Sequence, residues 1–141
     1  MIVRVVIAVA ILAIAAGIAW WLERRRVVAP PSQGRAVTPE QLDRNDFPRP
    51  DAPWLVVLFT SRHCESCAGL VDKALPLASD DVAVVEVEYS AEPALHERYQ
   101  IDAAPITVLV DREGVTRTAF VGGYTAPELW SALAELRATP S

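Results

Sequence analysis

Cys64 and Cys67 are the only cysteines in this chain of 141 residues. The spacing Cys64-Glu65-Ser66-Cys67 allows a small disulfide ring that can close and reopen. The pair follows the apolar run Trp54-Leu-Val-Val-Leu-Phe59, a predicted buried strand over residues 54–60, and opens a predicted helix over residues 64–78. Pro76 should bend or end that helix. A thiolate on the first turn of a helix is stabilised by the positive end of the helix dipole and by unpaired backbone N–H groups. The arrangement suits reversible thiol–disulfide exchange. A fixed disulfide or two idle core cysteines is the plainer alternative, yet such cysteines seldom occupy a helix N-terminus, where the thiolate is favoured.

Other chemistries find little support. One Cys-x-x-Cys supplies half of a structural zinc site, which usually takes four ligands. His63 and His96 are the only histidines, and His96 falls on a separate predicted helix. No metal and no other cofactor is therefore expected. Haem attachment would want His after Cys67, where Ala68 stands. Beside Cys64, a protonated His63 would lower the thiol pKa and Glu65 would raise it. His63, Glu65 and Ser66 are read as modulating residues or as solvated loop.

The elements that must position the pair follow from period and punctuation. Thr38-Pro39-Glu40-Gln41 carries the signature of a helix start, and Asp46-Phe47-Pro48-Arg49-Pro50 stops it. A strand is expected at Val82–Tyr89 and a helix from Glu92-Pro93 through Tyr99. Ile106–Asp111 reads as a strand, Asp111-Arg112-Glu113-Gly114 as a hairpin turn, and Val115–Val121 as the partner strand. Gly122-Gly123 breaks that strand. Thr125-Ala126-Pro127-Glu128 is a capping box opening a last helix with Leu129, Leu133 and Leu136 on one stripe. Trp54, Phe59, Val108, Leu109, Phe120 and Trp130 read as packing. Strand, helix, strand, helix, strand, strand, helix implies a mixed central sheet with helices on both faces.

The N-terminal region has a different composition. Residues 5–22 hold no charge and end in Trp20, Trp21 and Leu22, with Arg24-Arg25-Arg26 next. Eighteen such residues meet the lower length limit of a bilayer-spanning helix, and Arg4 can snorkel. Residues 1–26 are thus expected to be a retained transmembrane anchor with a basic flank. A cleaved signal peptide fits less well, because Trp-Trp-Leu and three arginines make a poor cleavage context. Residues 27–37, with Pro30-Pro31 and Gly34, read as a linker. Residues 38–141 form the expected soluble domain. The positive-inside rule favours that domain on the cytoplasmic side of a single-pass membrane protein and leaves the outward side open. From Thr38 onward, 8 Lys and Arg stand against 17 Asp and Glu, a net charge of −9. That balance offers no basic face and argues against nucleic acid. Disulfides remote from an active site are common in secreted domains, and their absence here favours a reducing compartment.

From residue 38 to about 137 the chain resembles the thioredoxin superfamily. The resemblance is carried by the hydrophobic strand running into Cys64-Glu-Ser-Cys67, by Tyr99-Gln-Ile-Asp-Ala-Ala-Pro105 leading into a strand, and by Val121-Gly122-Gly123 before the last helix. It implies a thioredoxin fold, with Cys64 as exposed nucleophile and Cys67 as buried resolving thiol. It implies a cis bond at Ala104-Pro105 whose backbone pairs with an extended substrate, and Gly122 and Gly123 nearby to let the substrate approach. The sequence also departs from the family. His63 replaces the usual Trp, Glu65-Ser66 the usual Gly-Pro, Leu58 the buried Asp, and Glu86 the Lys that partners it. Ile106 stands where Thr is common. With Leu58 unable to handle protons, Glu86 becomes the candidate proton acceptor for Cys67.

The expected function is that of a membrane-tethered thiol–disulfide oxidoreductase exchanging protein disulfides. Its expected partners are protein disulfide or dithiol substrates, an upstream reductase or membrane electron donor, and membrane lipid through the N-terminal helix. The alternatives are a non-catalytic binding module that holds a partner at the sheet edge near Pro105, and a dedicated relay to one membrane or cytochrome-maturation partner.

Overall fold

The computed structural model describes residues 1–25 and 38–139, with side chains for 1–18 and 38–139. They form two units. The first is one helix, α1 (Ile2–Arg25), built mostly from Ala, Ile, Leu and Val. Its described side chains, Met1 to Ile18, are exposed, and beyond Arg4 they are apolar or small on every face. Among the described residues, no helix is long and apolar enough to cross a membrane. The expected transmembrane helix is therefore not supported by the structure. The run that predicts it, residues 5–22, extends past Ile18, the last residue of this helix with a described side chain. Arg26 and the expected linker 27–37 lie outside the described residues.

The second unit is a four-stranded mixed sheet of order β2-β1-β3-β4. Its strands are β1 (Trp54–Thr60), β2 (Val82–Glu88), β3 (Ile106–Val110) and β4 (Thr116–Val121). β1 pairs parallel with β2 and antiparallel with β3, and β3 pairs antiparallel with β4. Both central strands are buried on both sides, so β1 reads Trp-Leu-Val-Val-Leu-Phe-Thr and β3 reads Ile-Thr-Val-Leu-Val with no polar alternation. Helices α2 (Cys67–Ala74) and α4 (Ala126–Ala138) cover one face, where Leu70, Ala74, Leu129 and Leu133 meet Val56, Leu58, Val82 and Leu109. Helix α3 (Pro93–Arg98) lies on the other face, with Leu95 packed against the cluster that holds Phe59, Val87 and Val108. A fully buried Val or Leu contributes roughly 1.5–3 kcal/mol of transfer free energy, so these two layers carry the unit.

Three local expectations change. The Thr38-Pro39 helix start is absent. Its segment pairs instead with the β3–β4 turn: Leu42 donates to the Gly114 carbonyl at 2.8 Å, and Thr116 N–H donates to the Glu40 carbonyl at 2.9 Å. The contact requires glycine, because Gly114 has φ +86° and a Cβ there would come within 2.1 Å of the Leu42 oxygen. The only helical turn in this region is a 3-10 turn at Arg44–Asp46, capped by Asp43. α2 begins at Cys67, not Cys64, and ends at Ala74, with a 3-10 turn over Leu75–Leu77 around Pro76. Trp130 is not packed away: it is exposed on α4, and its indole donates to the Lys73 carbonyl at 2.8 Å. The capping box forms as expected, with Thr125 and Glu128 exchanging hydrogen bonds at the start of α4.

Candidate active site

The strand register brings the chemistry to one end of the sheet. Phe59 on β1 pairs with Ile106 on β3, and Ile106 pairs with Val121 on β4. Thr60 pairs with Glu88 on β2. The segment leaving β1 toward Cys64, the segment entering β3 from Pro105, and the Gly122-Gly123 segment leaving β4 therefore lie side by side. Phe59 and Ile106, far apart in the sequence, become neighbours because β3 pairs antiparallel with β1.

Beyond Thr60 the backbone makes two tight turns. Cys64 N–H donates to the Ser61 carbonyl at 3.0 Å, and Cys67 N–H to the Cys64 carbonyl at 3.2 Å. These turns hold Cys64 just ahead of α2, with Cys67 as its first residue. The two are joined as a disulfide with Cα atoms 5.4 Å apart. Cys64 is half-buried and Cys67 is buried. The Cys64 sulfur lies 3.4 Å from the Ser66 hydroxyl. His63 and Glu65 are exposed. The pair thus stands at the N-terminal end of α2, the positive end of a helix dipole.

The Ala104-Pro105 peptide bond is cis. The Pro105 carbonyl accepts the Gly122 N–H at 2.9 Å, which joins two of the segments singled out in the sequence. Gly122 has φ +90°, and a Cβ on either Gly122 or Gly123 would meet no atom within 4 Å, so this surface is open. Among the described residues, no backbone hydrogen bond outside the regular elements uses the N–H or carbonyl of Ala104. Neither of two clefts, of about 310 and 420 Å³, is lined by a cysteine. One lies by Asp111 and Arg117, the other by His96 and Gln100.

Glu86 shares the α2-side face of β2 with Val84, as the alternation predicts. It is exposed, however, and its carboxylate accepts the Thr60 hydroxyl at 2.6 Å. His96 is buried on the α3 side, its ring 2.9 Å from the Val87 carbonyl and edge-on to Phe59 and Tyr89, so it faces away from the cysteines.

Two residues here were given no role from the sequence. Glu88 accepts the Arg62 N–H at 3.0 Å on one oxygen and the Ala91 N–H at 3.0 Å on the other. Backbone N–H groups of Ser90, Arg62 and Ala91 hold its carboxyl below the ordinary value against a smaller opposing effect of burial. Tyr124 is buried after the glycine pair. Its hydroxyl accepts from Thr107 at 3.3 Å and donates to the Leu70 carbonyl at 3.4 Å, while Lys73 donates to its carbonyl at 2.9 Å. Burial pushes the Tyr124 hydroxyl up from its ordinary value. Tyr124 thus links α2, β3 and the Gly122-Gly123 loop. The Glu88 signal was its shared parity with Glu86, whereas Tyr124 gave none.

This is a thioredoxin-like fold carrying a Cys-x-x-Cys disulfide. No protein-family model matches the chain, and no curated protein matches it in sequence. Among solved structures it is similar to a mutant thioredoxin from Halobacterium salinarum, with a TM-score of 0.54, 22% identity and coverage of 64% of this chain and 80% of that one. It is also similar to Trxlp from Edwardsiella tarda, with a TM-score of 0.53 and 17% identity over 66% of this chain and 95% of that one. Thioredoxin O2 from Arabidopsis thaliana in the oxidized state aligns with a TM-score of 0.50 and 21% identity over 60% of this chain and 76% of that one. Identities this low establish the shared fold alone.

Proposed function

We propose that the α/β unit is a thiol–disulfide oxidoreductase acting on extended protein disulfides. One observation carries the reading: a half-exposed and a buried cysteine, joined to each other, lie at the same sheet end as cis Ala104-Pro105 and the open Gly122-Gly123 surface. In the reduced protein the Cys64 thiolate attacks one sulfur of a substrate disulfide. A mixed disulfide forms as the other substrate sulfur leaves as a thiolate. Cys67 then attacks the Cys64 sulfur, closes the Cys64–Cys67 disulfide and releases the second substrate thiolate. Two electrons pass to the substrate, and the two thiol protons end on its sulfurs. A dithiol donor must reduce the pair again, and the reverse sequence would oxidise a substrate dithiol.

Among the described residues no backbone hydrogen bond outside the regular elements uses Ala104, which supports pairing with a strand-like substrate there. Glu86 is the proposed acceptor of the Cys67 proton, supported by its place on the α2-side face. Glu86→Gln should slow resolution of the mixed disulfide, and single-turnover kinetics unchanged across pH would remove that role.

The experiment for the main reading is insulin disulfide reduction by the intact protein with a chemical dithiol as donor. Cys64→Ser should abolish turnover, and Cys67→Ser should accumulate a mixed disulfide on a non-reducing gel. No turnover by the intact protein would leave a non-catalytic binding module.

Membrane tethering belongs to the same proposal. It is supported by the charge-free run 5–22, the arginines after it and the exposed apolar side chains of α1. The full chain should stay in the membrane pellet through an alkaline carbonate wash, and its release would overturn tethering.

A further inference from the structure

Two carboxylates of β2 reach across to the segment that delivers Cys64. Glu86 takes the Thr60 hydroxyl, and Glu88 takes the Arg62 N–H, two residues before the nucleophile. The Glu88 end of this link is itself well fixed. Its second oxygen accepts the Ala91 N–H, and its own carbonyl accepts from Ala91 at 3.1 Å and Glu92 at 2.9 Å. One residue on, Tyr89 N–H donates to the Thr60 carbonyl at 2.9 Å. The far end of the link is a loop with few other ties. Among the described residues, the backbone hydrogen bonds of residues 61–66 outside the regular elements are the two short-range turns, Cys64 N–H to the Ser61 carbonyl and Cys67 N–H to the Cys64 carbonyl.

We propose that Glu88 is a positioning residue for Cys64, holding the loop of Ser61, Arg62 and His63 so that the Cys64 sulfur stays at the N-terminus of α2. The inference rests on Cys64 acting as the nucleophile. A carboxylate bound to a backbone N–H is a charge-assisted hydrogen bond, shorter and stronger than a neutral one. The thiolate gains from α2 only while it remains within reach of the first-turn N–H groups, because the dipole effect fades beyond the first turn. Freeing the Arg62 end lets the turn at Cys64 open and withdraws that stabilisation. The clamp acts in the reduced protein, since the disulfide already ties Cys64 to Cys67 in the oxidised one.

Glu88 could instead act only as a charge, and the two roles predict opposite signs. A negative charge near a thiolate disfavours it, so removing the charge alone would lower the Cys64 pKa. Removing the clamp raises it. Two variants separate the contributions: Glu88→Gln keeps an acceptor oxygen at the same reach without the charge, and Glu88→Ala removes both. Arg62, His63, Glu65 and Glu86, the other titratable groups around this loop, are the same in all three proteins.

The test is the rate of Cys64 alkylation by iodoacetamide against pH, using the reduced full chain. Glu88→Ala should slow alkylation at neutral pH on the order of tenfold and move the profile to higher pH, within the range that displaced catalytic groups lose. Glu88→Gln should alkylate at or above the wild-type rate. Glu88→Ala equal to or faster than wild type overturns the proposal, as does Glu88→Gln as slow as Glu88→Ala. If Glu88→Ala does not fold, Glu88→Ser, which also lacks the reach, replaces it with the same expectation. Failure of the oxidoreductase reading would appear separately, as wild-type protein that does not reduce insulin whatever these variants do.

Discussion

At the scale of single residues, the site is made by side chains that do small things in the right place. Cys64 and Cys67 differ in exposure because one precedes α2 and the other begins it. Glu88 is the residue with the most to say about pH. Its carboxyl is held below the ordinary value of 4.5 by backbone N–H groups. A group whose pKa is lowered by folding stabilises the fold above its unfolded value and loses that contribution as pH falls through the folded value. Wild type should therefore be more stable than Glu88→Gln at neutral pH, and the gap should close as pH falls below the folded value. Denaturant titrations of both proteins at pH 7 and at pH 3 would check this, and a gap that persists at pH 3 would contradict it.

At the scale of elements, the two glycines after β4 are a controlled comparison. Gly122 has φ +90°, a conformation that costs other residues about 1–2 kcal/mol, although nothing crowds its missing side chain. Gly123 has neither constraint. Gly122→Ala should lower stability by about that amount, and Gly123→Ala should be nearly neutral, as read from denaturation midpoints. The short α2 has a similar lesson. Helical pattern runs through residues 64–78, yet the i→i+3 turns at Cys64 and Cys67 and the imino acid at Pro76 trim the α-helix to Cys67–Ala74. Tyr124 then braces that helix against β3, through Leu70 on one side and Thr107 on the other.

At the scale of the α/β unit, Arg44 closes the end of the sheet remote from the cysteines. It is buried, and its guanidinium donates to the carbonyls of Asp111 at 2.8 Å and Ala52 at 2.9 Å, with Arg49 at 3.4 Å. These bonds fasten the segment before β1 to the end of β3. Arg44→Met would keep much of the apolar stem and strand the buried carbonyls. Each buried group left unpaired costs about 1–3 kcal/mol, so a loss of several kcal/mol is expected, measured by chemical denaturation. Thiol reactivity at Cys64, at the opposite end, should stay near wild type wherever the variant remains folded. Equal losses in both would mean the two ends are coupled.

Much of this protein is local information. The apolar runs of β1 and β3, the alternation in β2, the turn at Asp111–Gly114 and the Thr125 capping box follow from side-chain period and backbone chemistry within a few residues, and the sequence alone determined them. It also marked the dithiol, the proline of the cis bond and the glycine pair. Tertiary structure decided what depends on partners far along the chain. The residues after Thr38 gave up a helix because Gly114 and Thr116 offered them strand-like hydrogen bonds. Glu86, read as the candidate proton acceptor for Cys67, is exposed, and its carboxylate takes the Thr60 hydroxyl from the neighbouring strand. Glu88 and Tyr124 joined the site only once the strands were in register. A hydrogen bond or a burial between residues far apart in the chain leaves no period in the sequence, so only the folded sheet could disclose it.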